Sequence, residues 1–158
     1  MDLSPEWVTG FVDGEGCFFI GIQKNPKTSL GYQVIPEFRI VQHERDIAVL
    51  HALKRFFKFG TVCQNHGDRY ELRVRKLEHL REIADFFLKH PLKTKKQVDF
   101  LKFRDALLLM ERGEHLTMEG LKNIARIARQ MNTGKREALS SLLDEDIVHA
   151  SLKGEDYS

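Results

Sequence analysis

The hydrophobic positions of the first ninety residues alternate between the spacing of a helix and that of a strand. Seven elements are predicted in this order: a helix from Ser4 to the glycines at 14–16, strands over 17–24 and 32–42, a helix over 45–57, strands over 61–65 and 69–75, and a helix over 77–88. The glycines at the end of the first helix predict a left-handed terminating turn. Pro36 cannot donate a ladder hydrogen bond, so it predicts an edge or a bulge in the second strand.

The chain beyond Pro91 has helical spacing only, with helices predicted over 94–110, 117–131 and 135–143. On the third helix, Leu88 is expected to face the core with its apolar neighbours.

The order αββαββα, followed by helices, predicts an α+β fold. Four antiparallel strands form one sheet, with helices on one face and the other face open. The length of 158 residues fits one domain. We divide it into an αββαββα core over 4–104, a helical extension over 105–150 and a frayed tail over 151–158.

Composition excludes several classes of protein. The chain is 42% hydrophobic and 30% charged, which excludes a disordered chain, a collagen and a coiled coil. No apolar run has the roughly 20 residues that cross a bilayer, and the N-terminus lacks a signal-peptide pattern. Cys17 and Cys63 are the two cysteines, too few for a disulfide framework. We therefore expect a soluble intracellular protein with no membrane partner.

The net charge of +2 conceals an uneven distribution along the chain. Residues 39–104 carry 16 basic and 8 acidic side chains, whereas the segments on either side are both net acidic. Basic residues concentrated in one region favour a polyanionic partner.

The open face of the predicted sheet is rich in side chains that read base edges in DNA. Alternate strand positions point to this face and carry the following residues: Gln23, Gln33, Arg39, Asn65, Arg69, Glu71 and Arg73. Arg pairs with guanine, Gln or Asn with adenine and Glu with cytosine, and a β-ribbon fits the major groove. An ordinary solvated sheet face has the same pattern. The choice between the two interpretations therefore depends on the sequence of the first helix.

The end of the first helix carries a motif. Residues 8–16 read VTGFVDGEG and resemble the signature of the LAGLIDADG homing endonucleases. Gly10, Asp13 and Gly16 match the signature directly, Glu15 replaces one acid by another, and Thr9 in place of alanine is the loosest match. The αββαββα order around the motif is also the fold of that family. Independently of the resemblance, small residues one helical turn apart at 10 and 14 allow two helices to approach closely.

The resemblance implies a site-specific endonuclease that cuts both strands of DNA and leaves staggered ends. The sequence contains one copy of the motif, so two active-site acids require a homodimer and a long, near-palindromic target. The motif helix supplies the expected dimer interface: Val8, Thr9, Gly10, Val12 and Asp13. An intron RNA maturase or a non-cleaving DNA-binding regulator on the same fold is the alternative, and intron RNA is a possible partner. Retention of the acid at Glu15 argues for cleavage.

The implied catalytic residues are Glu15, Gln42 and Lys95. Glu15 of each subunit and the backbone carbonyl of Gly14 would hold Mg²⁺, because two carboxylates brought together repel unless cations lie between them. Mn²⁺ is expected to substitute, and Ca²⁺ to support binding without cleavage. Gln42 and Lys95 would order water and stabilise phosphate charge. Lys93 and Lys96 compete with Lys95 for this role.

The implied DNA-binding residues lie along the strands and in the first hairpin turn: Gln23, Asn25, Lys27, Gln33, Arg39, Thr61, Cys63, Asn65, Arg69, Glu71 and Arg73. The expected compartment is the cytoplasm of a prokaryote or, if the gene is organellar, an organelle.

Overall fold

The computed structural model describes residues 1–131 and 142–143. Its helices and strands are α1 (Pro5–Glu15), β1 (Gly16–Lys24), β2 (Tyr32–His43), α2 (Ile47–Phe57), β3 (Thr61–His66), β4 (Arg69–Val74), α3 (Leu77–Lys89), α4 (Lys96–Glu111) and α5 (Met118–Arg129). The predicted order αββαββα, followed by helices, is confirmed. The predicted helix over 135–143 and tail over 151–158 lie outside the described residues, except that 142–143 are helical.

The four strands form one antiparallel sheet in the order β1-β2-β4-β3. β4 pairs with β2 only from Phe38 to His43, so Pro36 lies in a stretch of β2 that pairs with β1 alone. On the β4 side Pro36 therefore has no paired strand; the edge predicted for it is local, because β2 as a whole lies between β1 and β4.

The first helix begins as predicted and ends differently. The hydroxyl of Ser4 accepts a hydrogen bond from the backbone N–H of Trp7, and Pro5 occupies the first turn. At the other end Gly16 has φ −78° and ψ 160°, which is extended backbone. The left-handed turn expected there is wrong, because β1 starts directly at Gly16 and needs an extended residue.

The core lies between the sheet and the helices and is rich in phenylalanine. Phe18 of β1 contacts Phe38, Phe87, Phe100 and Phe103, with ring centroids 5.2 to 5.7 Å apart. The contacts with Phe87 and Phe100 are edge to face, an arrangement that aromatic pairs favour at these distances, and the other two are tilted. The core joins both αββ halves to α4.

Leu88 does not join this core. It is 43% exposed, so the inward orientation predicted for it is wrong. The buried residues of α3 are Leu80, Ile83, Ala84 and Phe87. Leu88 follows Phe87 by one residue and is rotated by about 100° from it, which turns it away from the sheet.

The described part of the chain contains no helix that is both long and apolar enough to cross a membrane.

Candidate active site and nucleic-acid interface

The C-terminus of α1 presents one exposed carboxylate. Glu15 is the last residue of the helix and Gly14 precedes it, and both are exposed. Among the described residues the Glu15 carboxylate has no hydrogen-bond or ion-pair partner. Gly16 pairs with Ile40 of β2, so Gln42 follows two residues further along that strand, on the same face as Ile40. The structure thus brings Gly14, Glu15 and Gln42 to the same end of the sheet.

Asp13 ties α1 to the loop before α4. Its carboxylate accepts hydrogen bonds from the backbone N–H of Lys93 at 2.8 Å and from the hydroxyl of Thr94 at 2.6 Å. Burial raises the pKa of Asp13, but the hydrogen bonds from Thr94 and Lys93 and the charge of Lys96 outweigh it and hold that pKa below its usual value. Asp13, expected at the dimer interface, therefore also has a structural task within one chain.

Lys96 is the lysine that reaches the end of α1. Its Nζ donates to the carbonyl oxygens of Val12 at 3.1 Å and Asp13 at 2.9 Å. Burial lowers the pKa of Lys96 despite the opposing effect of nearby acids, Asp13 first among them. A cation at a helix C-terminus stabilises the helix through its dipole.

Lys95, the lysine favoured by the sequence, is exposed at the N-terminus of α4. Its side chain has no hydrogen-bond or ion-pair partner within the described residues. A helical stripe would have distinguished the two lysines, because Lys96, Phe100 and Phe103 recur at helical spacing and both phenylalanines are fully buried. The preference for Lys95 rested on the family resemblance and not on this spacing.

The outer face of α1 is bare at its two glycines. A Cβ added at Gly10 or Gly14 would meet no atom within 4 Å. Trp7, on the same side of the helix, is 43% exposed and stacks on Phe11 with ring centroids 4.8 Å apart. This face thus combines two glycines, which leave the helix backbone uncovered, with the partly exposed pair Trp7 and Phe11.

Val8 and Val12 lie on the opposite side of α1 from the glycines. Both are 0% exposed within a single chain and belong to the hydrophobic core. The prediction that they form the dimer contact is wrong, because four-residue spacing aims both at the sheet. Thr9 and Gly10 lie near the outer face, which Trp7 and Phe11 share.

The open sheet face carries the predicted DNA-binding residues in register. Cys17, Arg39, Arg73 and Thr61 form one row across all four strands. Gln23 pairs with Gln33, and the amide of Asn25 donates to Gln33 Oε1 at 3.1 Å. Most of the set is exposed or half-buried, and Lys27 is exposed in the turn between β1 and β2.

Glu71 differs from the rest of that set because it is only 5% exposed. Its carboxylate accepts a hydrogen bond from Asn65 Nδ2 at 2.8 Å and lies 3.5 Å from Arg73 Nη1. Glu37 of β2, which the sequence argument did not select, is equally buried and accepts a hydrogen bond from Arg75 Nε at 3.0 Å. In the sequence, Glu37 and Glu71 each lie two residues before an arginine on the same strand. This spacing could have indicated that the two carboxylates form ion pairs.

The described part of one chain does not gather a complete set of metal ligands. Nowhere in residues 1–131 and 142–143 do three or more His, Cys, Asp or Glu side chains group closely enough to hold one. Each chain offers one exposed carboxylate, Glu15, beside the carbonyls at a helix C-terminus. Such oxygen donors suit Mg²⁺, and a second copy of the chain would complete the set.

The helix that ends in Glu15 and the open four-stranded sheet beside it are features that this chain shares with a known family. The sequence model described as LAGLIDADG endonuclease matches residues 8–107. The chain belongs to the LAGLIDADG endonuclease family.

Solved structures of homing endonucleases share this fold. The crystal structure of I-TnaI superposes with a TM-score of 0.88 at 62% sequence identity, over 92% of this chain and 99% of that one. The meganuclease I-SmaMI, bound to uncleaveable DNA, gives a TM-score of 0.86 at 34% identity, over 89% of this chain and 48% of that one.

Among curated relatives, the probable intron-encoded endonuclease 2 of Neurospora crassa is 34% identical over 140 residues. The matched region is 87% of this chain and 31% of that protein, so the chain spans about a third of its relative.

Proposed function

We propose that this chain is a site-specific DNA endonuclease that acts as a homodimer and hydrolyses both strands of a long, near-palindromic site. The observation that carries the proposal is the Glu15 carboxylate, exposed beside the bare face of α1 and the polar sheet. Two relatives support it: one is the probable intron-encoded endonuclease 2 of Neurospora crassa, and I-SmaMI has been solved bound to cleaved DNA.

The dimer forms through the outer face of α1. Gly10 and Gly14 allow two helices to pack backbone to backbone, and Trp7 and Phe11 supply apolar area at the edge. A two-fold axis along this face brings both copies of Glu15 together. The chain covers nearly all of I-TnaI but about half of I-SmaMI, which leaves room in I-SmaMI for a second unit of this size.

The residues at the end of α1 fit a divalent metal. Paired Glu15 carboxylates and the Gly14 carbonyls form a set of oxygen donors, which suits Mg²⁺, with Mn²⁺ as a substitute. When bound, the metal polarises the scissile phosphate and lowers the pKa of a water nucleophile. Ca²⁺ is proposed to support binding without cleavage, and I-SmaMI has been solved bound to uncleaved DNA in the presence of calcium ions.

Three further side chains complete the proposed site. Gln42, at the end of β2, orients water on the helix side of the sheet. Lys95, exposed beside the end of α1, is proposed to reach the phosphate, and the exposed Lys93 is its competitor. Lys96 holds the last carbonyls of α1 in place and contributes positive potential beside Glu15.

The sheet face lies in the major groove, and the cuts fall across the neighbouring minor groove to leave staggered ends. Arg39, Arg69 and Arg73 are placed to read guanine, and Gln23 and Gln33 to read adenine. Asn25 and Lys27 extend the contact at the first hairpin turn. Names of relatives that place them within introns favour an intron-encoded protein, and an organellar gene is part of the proposal.

A randomised duplex library tests the proposal directly. The protein is incubated with the library in Mg²⁺ and the cut ends are sequenced. Discrete cuts in one long, near-palindromic site, abolished by EDTA, are expected. If the folded protein makes no cuts but still selects DNA or structured RNA, the proposed cleavage is wrong. The function would then be that of a non-cleaving regulator or an intron RNA maturase.

A further inference from the structure

Two buried carboxylates lie among the arginines of the open sheet face. Glu37 and Glu71 are each 5% exposed and are the buried charged residues in the described part of the chain. Glu37 accepts a hydrogen bond from Arg75 Nε at 3.0 Å and lies 3.8 Å from Arg39 Nη1. An ion buried at a sheet surface requires such partners, because desolvation is otherwise costly.

Glu71 has a matching set of partners, one on its own strand β4 and two on the neighbouring strand β3. Its Oε1 lies 3.5 Å from Arg73 Nη1, and its Oε2 accepts a hydrogen bond from Asn65 Nδ2 at 2.8 Å. Cys63 Sγ donates to Oε1 at 3.8 Å. Neither carboxylate is available to reach a base without losing these contacts. Glu71 therefore influences the open sheet face by positioning the side chains that contact it, Arg73 and Asn65.

The register explains why two acids are needed. Arg39 of β2 lies directly opposite Arg73 of β4, and like charges directly opposite each other in a sheet repel. Each acid precedes its arginine by two residues on the same strand, about 6.8 Å away along the backbone. Because β2 and β4 are antiparallel, the two acids lie on opposite sides of the arginine pair.

The ion pairs therefore draw the two guanidinium groups apart. Arg39 leans along β2 towards Glu37, and Arg73 leans along β4 towards Glu71. A guanidinium reads guanine through a rigid bidentate fork, so the direction in which it is held decides which base it meets.

We propose that Glu37 and Glu71 are positioning residues that set the base specificity of this face: Glu37 through Arg39 and Arg75, and Glu71 through Arg73 and Asn65. The inference rests on the proposed function, since it assumes that the sheet contacts DNA. It reassigns Glu71 from contacting cytosine to orienting its neighbours, and it adds Glu37 to the determinants of specificity.

The test compares Glu37→Gln and Glu71→Gln with the unchanged protein. Both substitutions keep the shape of the side chain and remove its charge. The control is Glu82→Gln, an exposed acid on α3 that changes the net charge equally. Binding to a randomised duplex library in Ca²⁺ is sequenced to give the base preference at every position, and affinity is measured as a function of salt.

Each glutamate variant is expected to lose about tenfold in preference at one or two positions of each half-site, the discrimination of one bidentate contact. The number of phosphate contacts, read from the salt dependence, is expected to stay unchanged. A purely structural role would lower affinity uniformly and leave the base preference as it was. A general effect of charge on phosphate contacts would do the same, and Glu82→Gln controls for that effect.

A double-mutant cycle with Arg73→Lys provides the second measurement. Arg73→Lys keeps the charge but removes the bidentate guanidinium. It should therefore weaken the base preference at the same positions as Glu71→Gln, and the double variant should lose no more preference than either single variant. Additive losses at different positions would overturn the inference, as would wild-type preference in folded Glu37→Gln and Glu71→Gln. Failure of the unchanged protein to bind DNA would instead refute the proposed function.

Discussion

The ammonium of Lys96 lies 2.9 Å from the carbonyl oxygen of Asp13, where it covers the last turn of α1. This contact joins the start of α4 to the helix that ends in Glu15. The orientation of the proposed catalytic carboxylate thus depends on a residue 81 positions away in the sequence.

The two neighbouring lysines are expected to have separable roles. Lys96→Met should lower the free energy of unfolding by about 1 kcal/mol, because it removes the hydrogen bonds and the favourable dipole interaction at the end of α1. Lys95→Met should leave stability within about 0.5 kcal/mol and reduce cleavage. Denaturant unfolding and single-turnover cleavage measure the two effects. Loss of stability in Lys95→Met with none in Lys96→Met would reverse the assignment.

Asp13 is expected to make stability depend on pH in the acid range. Hydrogen bonds from Thr94 and Lys93 hold its pKa below the usual value despite burial. The stabilisation is therefore present above the ordinary carboxyl pKa of about 3.9 and is lost as pH falls through the lower folded pKa.

Asp13→Asn is the variant that isolates this effect. It should destabilise the fold by about 1 kcal/mol at pH 6, because the amide cannot accept all of these hydrogen bonds. The difference in melting temperature from the unchanged protein should shrink as pH approaches 3. A constant difference from pH 6 to pH 3 would exclude titration of Asp13 as the cause.

Gly10 is expected to matter to the dimer and not to the folded monomer. Gly10→Leu places a large side chain where a single chain has open space, so the melting temperature of the monomer should not fall. The same side chain would keep two α1 helices apart. Analytical ultracentrifugation should show a monomer for Gly10→Leu and a dimer for the control Glu82→Leu on exposed α3. A dimer in both variants would move the interface away from this face.

Gly120 should behave in the opposite way. A Cβ on this residue of α5 would overlap the backbone carbonyl of Glu114, and a backbone neighbour cannot rotate away. Gly120→Ala should therefore destabilise the protein by roughly 1–3 kcal/mol, the usual cost of forcing atoms into packed space. Asn123→Ala, at an exposed position of the same helix, should change stability by less than about 0.5 kcal/mol. Equal unfolding midpoints would contradict the close approach.

Much of the fold was predictable from local pattern. Proline after the capping Ser4 marks the start of α1, and alternation along β1 separates Phe18 and Ile20 from the polar set. These signals depend on residues close in sequence, which is why the order of elements and the open face are confirmed.

The details of the site depend on contacts between distant segments. That Lys96, and not Lys95, contacts the end of α1 depends on the rotation of α4 relative to α1. The burial of Glu71 requires the pairing of β4 with both neighbours. Spacing within one element indicates which residues share a face, as for Lys96 and Phe100, but it does not indicate which other element that face meets.

The central claim is that Glu15 holds the catalytic metal while the sheet binds DNA. Glu15→Gln is compared with the unchanged protein and with Glu82→Gln on the same target, with binding measured in Ca²⁺ and cleavage in Mg²⁺. For Glu15→Gln, the DNA affinity is expected to stay within about threefold of that of the unchanged protein. The cleavage rate is expected to fall by roughly a thousandfold, since several kcal/mol of metal stabilisation are lost. Cleavage at the unchanged rate by Glu15→Gln would contradict the central claim.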